Sequence, residues 1–132
     1  MTSDKPSAVA QDFLQKCFDG DISSAVELLD PGATYRVSGS HRLAGTFEGP
    51  QAVARHVREL LRETHHTVDV LKWEDWMIGV NNIAGLVNMR AQRLGAIDTF
   101  RVIFFINISE GDKIRRVELF FSDQAEVDRF FE

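Results

Sequence analysis

The sequence predicts an α+β domain of two layers, with helices packed on one side of a curved, mostly antiparallel sheet. Two observations carry this. Apolar residues recur at three- and four-residue steps through the first half of the chain, which is helical spacing. In the second half they alternate, with Gly, Asn and Asp between the runs, which is the pattern of strands and turns.

The elements follow in order. Pro6 fits a first helical turn, where its missing N–H costs nothing. Val9, Phe13 and Cys17, flanked by Ala10, Leu14 and Phe18, form the stripe of an amphipathic helix that Gly20 ends. A second helix buries Ile22, Ala25, Val26 and Leu29 and stops at Asp30-Pro31-Gly32. A short strand over residues 33–38 and a Gly-rich loop over 39–49 follow. Pro50 opens a third helix whose Val53, Val57, Leu60 and Leu61 share a face. Then come strands over residues 66–78, 81–94, 99–108 and 113–121, with a tight turn at Ser109-Glu110-Gly111-Asp112. Ser122 is placed to cap a short terminal helix carrying Val127, Phe130 and Phe131.

At 132 residues the chain fits one domain, 1–132, long enough for a core without staples. Ten Phe against one Tyr and two Trp predict a dry interior, since Phe brings no polar handle. A net charge of -5, with no basic stripe, argues against a nucleic-acid partner. The polar start, residues 1–4, has no secretory pattern, and no apolar run is long enough to span a bilayer. Cys17 is the only cysteine, which excludes an internal disulfide. A cytoplasmic protein is therefore expected.

The strand at residues 99–108 bears on assembly. One face carries Phe100, Val102, Phe104 and Ile106; the other carries Arg101, Ile103, Phe105 and Asn107, itself half apolar. A strand with one wet face should alternate cleanly. Either a second subunit covers that face or the C-terminal helix does; a homodimer through the sheet is the expectation.

Several segments together resemble the NTF2-like superfamily, in its SnoaL-like and ketosteroid-isomerase-like branch. They are Gly20-Asp21, Ala33-Thr34-Tyr35, Leu43-Ala44-Gly45-Thr46-Phe47-Glu48-Gly49 and Glu110-Gly111-Asp112-Lys113-Ile114. The resemblance covers nearly the whole chain. It implies a cone-shaped pocket between sheet and helices and frequent dimers through the sheet. It does not fix a chemistry, because the fold hosts isomerases, cyclases, epoxide hydrolases and non-enzymes.

Matched position by position, the isomerase's hydroxyl donor falls on Phe13, its base on Val37 and its donor acid near Ile103 or Phe104. None of these can move a proton. For a limonene-type epoxide hydrolase, Tyr35 matches the Tyr, but the Asn falls on Val37 and the sheet acids fall near Asn88 and on Leu119. A SnoaL-type cyclase needs an acid/base, for which His41, Asp69, Asp98 and Glu118 remain. Glu118, between Val117 and Leu119, should face outward.

His41 reads either as a solvated loop histidine or as a general base at the pocket mouth. His56 reads as structural, and His65-His66 in a strand would point to opposite faces. No metal-ligand spacing exists, so no metal and no cofactor are expected. Trp73 and Trp76 fall on opposite strand faces unless a bulge intervenes. Asn88, Arg90 and Gln92 share a face, read as a wet outer edge.

These residues predict a binding domain for a small apolar ligand, with Phe13, Tyr35, Val37, His41, Phe104, Val117 and Leu119 as ligand-binding candidates. Tyr35 and His41 are the catalytic candidates for the alternative, an enzyme acting on a carbonyl or polyketide-like substrate. The third reading is a dimeric interaction domain whose cone is filled by its own side chains.

Overall fold

In a computed structural model, which describes residues 5–109 and 111–132, four helices and six strands form the predicted two-layer α+β architecture. Residues 1–4, and Glu110 of the expected turn, lie outside the described residues. Helix α1 (Lys5–Asp19) buries Ala10, Phe13, Leu14 and Cys17 along the stripe expected from the spacing. Gly20 ends it at φ 86°, a left-handed geometry that leaves the Asp21 N–H free to reach the Lys16 carbonyl at 2.9 Å.

Helix α2 (Ile22–Val26) is shorter than predicted, because Leu29 already belongs to a strand, β1 (Leu29–Val37). The Ile114 N–H reaches the Leu28 carbonyl at 2.8 Å and Leu29 pairs with Ile114, so tertiary pairing overrides the local helical pattern. Asp30-Pro31-Gly32 sits in the irregularity between Leu29 and Thr34, where the Asp30 side chain accepts from the Gly32 N–H. There a proline removes no ladder bond.

The expected Gly-rich loop contains a strand, β2 (Gly45–Glu48), paired antiparallel with residues 34–37. Helix α3 (Pro50–Glu63) starts with proline in its first turn and buries Val53, His56, Val57 and Leu61. The next strand begins later than residue 66. His65 and His66 adopt φ 52° and 58° in a turn, and β3 (Asp69–Ile78) follows. Strands β4 (Asn82–Arg93), β5 (Ala96–Ile108) and β6 (Ile114–Phe121) complete the meander. The sheet order is β2-β1-β6-β5-β4-β3, with only the β1–β6 pair parallel.

The expected inward sets hold. Phe100, Val102, Phe104, Ile106, Val117 and Leu119 are buried, whereas Arg101 and Ile103 are exposed. Trp73 and Trp76 do not fall on opposite faces. A register shift between Trp73 and Asp75 adds a residue, so both rings face the helices and stack at 5.3 Å. Their position requires Gly85, because a Cβ there would stand 2.6 Å from the Trp76 ring.

Helix α4 (Gln124–Phe130) is capped by Asp123, one residue later than predicted, whose side chain accepts from the Glu126 N–H. It folds onto the helix side of the sheet, where Phe130 meets Phe100 edge-on at 5.1 Å. Both its ends are tied. The buried Arg93 guanidinium donates to the carbonyls of Phe130 and Glu132 and pairs with Glu63. Gln124 bonds to Ser38, and Asp128 accepts from Ser40. The outer sheet face is thus covered by no element among the described residues. Also among them, no helix is long and apolar enough to cross a membrane.

Candidate functional site

A cavity lies between the inner sheet face, α3 and α4. It spans about 600 Å³ with the open solvent at its mouth included, and only about 60 Å³ admits the centre of a water molecule. That is a narrow cleft with room for a few waters at roughly 15 Å³ each. The sheet contributes Val37, Met89, Val102, Phe104 and Leu119, and α4 with its C-cap contributes Val127 and Phe131. Strand alternation aims the first set inward; the double carbonyl latch from Arg93 holds the second in place.

Of the seven residues predicted to line a pocket, Tyr35, Val37, His41, Phe104 and Leu119 do so. Phe13 and Val117 also point inward but are fully enclosed by packing elsewhere in the core. The sequence reading missed His56. A signal existed, since Val53, His56, Val57 and Leu60 follow helical spacing on α3. Leu60 and Met89 complete this side of the lining. Asn88, Arg90 and Gln92 face outward as expected, with Arg90 at the cavity's border and paired to Asp69 at 3.5 Å. Glu118 also faces outward, between Arg36 and Arg116.

Three polar side chains enter this apolar lining. Tyr35 sits between the rings of Phe13, at 6.5 Å, and His56, at 5.2 Å. Burial, and then the neighbouring Cys17, push its pKa well above the usual phenol range. Burial likewise raises the Cys17 thiol to about 12, so neither group ionises near neutral pH. His56 stacks on Phe47 at 4.3 Å, and burial, followed by the His41 charge, lowers its pKa to about 4. His41 is not a solvated loop residue: it is 8% exposed, beneath α4 and against the Phe131 ring at 5.3 Å. Burial lowers its pKa, opposed by Asp128 and the Ser38 backbone.

All three groups are therefore neutral at pH 7. Among the described residues no Asp or Glu lines the cavity, and no three His, Cys, Asp or Glu side chains gather as metal ligands would. The site offers hydrogen bonds to an uncharged molecule and lacks a carboxylate base.

Comparison with known proteins agrees with this fold. No family model matches the sequence. No curated protein matches it either. Solved structures do match. Bal32a from a soil-derived mobile gene cassette superposes with a TM-score of 0.91 at 18% identity, covering 100% of both chains. An NTF2-like protein from Burkholderia xenovorans superposes with a TM-score of 0.84 at 15% identity, covering 100% of this chain and 99% of that one. TerC, co-crystallised with polyporic acid, superposes with a TM-score of 0.83 at 13% identity over 96% and 98% of the two chains. The chain has the NTF2-like fold that its sequence motifs resemble.

Proposed function

We propose that this chain is a binding protein for a small, uncharged, largely apolar molecule held between the sheet and α4. One observation carries the reading: an apolar cavity holds three neutral polar side chains and no carboxylate. Apolar walls with a few convergent polar groups are the usual build of a small-molecule site. Co-crystallisation of TerC with polyporic acid supports small-molecule binding as one use of the fold. The buried free thiol of Cys17 fits a reducing cytoplasm.

A thermal-shift comparison tests this. Indane and 1-indanone, both neutral and small enough for the cleft, should raise the melting temperature, whereas 1-indanone-5-carboxylate should not. At ~100 times its dissociation constant a ligand adds about 2.7 kcal/mol of stability. Silence from both neutral compounds would favour the filled interior, and an equal response to the carboxylate would remove the argument from charge. A second reading, a SnoaL-like enzyme acting on a carbonyl compound, draws on Tyr35 and His41 sharing the cavity. Turnover abolished by Tyr35→Phe would establish it.

The outer sheet face belongs to a homodimer in this proposal. Ile103 and Phe120 are 45% and 43% exposed at its centre, and Phe105 lies beside them under the Arg116 guanidinium. Arg36, Glu118 and Arg116 flank them on one side, and Glu74 with Arg101 on the other. A two-fold axis through such a face sets apolar against apolar and lets opposite charges meet.

A further inference from the structure

We infer that the Nε2–H of His41 is the polar anchor of the cavity and selects a neutral molecule carrying an oxygen acceptor, such as a ketone or ether, on an apolar ring body. This rests on the cavity being a binding site, and it adds which group of the ligand is read and by which atom.

The tautomer follows from one hydrogen bond. Nδ1 of His41 lies 3.1 Å from the Leu43 backbone nitrogen, which has only a proton to offer. Nδ1 must present its lone pair, so a neutral ring carries its single hydrogen on Nε2. That atom is buried and is the one side-chain nitrogen or oxygen so enclosed, among the described residues, that has no hydrogen-bond partner. Buried donors left unpaired are rare and costly, so this one calls for a partner.

No protein acceptor meets it in hydrogen-bond geometry, although the Ser38 carbonyl lies near enough to raise the pKa of the ring. The Asp128 carboxylate takes the Ser40 N–H at 3.1 Å, the Ser40 hydroxyl at 3.2 Å and the Gln124 amide at 3.1 Å. The Ser38 carbonyl takes the same Gln124 amide at 3.2 Å. On its other sides His41 meets the rings of Phe121 and Phe131, which offer no lone pair. A ligand in the cavity that His41 lines would reach Nε2–H after a small shift of the ring, since the atom is enclosed here.

The ligand's charge follows as well. An anionic oxygen would leave water for a site whose histidines are neutral and whose bordering cation, Arg90, is paired to Asp69 and half exposed. A neutral carbonyl or ether oxygen loses less. A hydrocarbon of the same shape would leave Nε2–H unpaired and bind more weakly.

Two measurements test this on the intact protein. Long-range proton–nitrogen spectra of histidine-labelled protein at pH 7 should show His41 with Nε2 protonated and Nδ1 accepting. Affinities for 1-indanone and indane, which differ only in the ketone, should favour the ketone about tenfold. His41→Phe should lose the preference for 1-indanone over indane; should it fail to fold, the wild-type pair and the spectra still decide. Equal affinities, or a proton on Nδ1, would overturn the anchor while leaving the binding site standing. Binding of neither compound would overturn both.

Discussion

Acidifying the protein from pH 7 to pH 4 is expected to cost its native state about 3 kcal/mol through His56. The imidazole is buried in the stripe of α3 between Phe47 and Tyr35, and its pKa in the folded chain is about 4, against an ordinary 6.5. At pH 7 the ring is neutral folded or unfolded, so it contributes no pH dependence. Below pH 6.5 the unfolded chain takes up a proton that the native state refuses, and stability falls. Below pH 4 the native ring also protonates and the slope from this group vanishes. The gap of about 2.5 pH units, at about 1.4 kcal/mol each, gives about 3 kcal/mol. His41, whose pKa is also lowered by burial, adds in the same direction. Urea unfolding at pH 7.5 and pH 4.5 measures the loss. His56→Phe keeps an aromatic ring against Phe47 and Tyr35, and it should lose markedly less stability over that interval. Equal losses in the two proteins would show that His56 is not the acid-sensitive group.

The second large effect concerns assembly. Phe120→Glu is expected to turn a dimer of twice 14.9 kDa into a monomer at micromolar concentration. Phe120 lies opposite Ile103 on the outer face, 43% exposed in the isolated chain, so the substitution disturbs little of the monomer's core. In a two-fold interface one substitution acts twice, placing two carboxylates in a patch that already holds Glu74 and Glu118. Sedimentation velocity reads the mass, and unfolding of the variant should still be cooperative. A wild-type chain that sediments as a monomer would remove the dimer from the account.

Much of the fold was legible because strand alternation and helical spacing each rest on one local period. The inward set from Phe100 to Ile106, the stripe of α1 and the short C-terminal helix came from that period alone. Failures occurred where pairing partners decide. Leu29 fits a helix stripe by spacing, yet Ile114 draws it into β1. Residues 45–48 look like loop until β1 supplies a ladder for them. The Trp pair shows how one bulge inverts a parity argument. At the site, Tyr35, Val37, Phe104 and Leu119 were legible from parity and resemblance together. The environment of His41 was not, because α4, distant in sequence, is what buries it. His56 was legible from spacing, but nothing local says that the face it shares opens on a cavity.

The most direct test of the binding reading uses the methionine methyl groups. The sequence has three methionines; Met89 lines the cavity at 8% exposure, and Met77 stands 75% exposed on β3 at the sheet edge. In protein carrying carbon-13 methionine methyls, saturating 1-indanone should shift the Met89 signal through the ring current of the bound molecule and leave Met77 in place. A Met89 signal that stays fixed at saturation, or a shift confined to Met77, would contradict a ligand site between the sheet and α4.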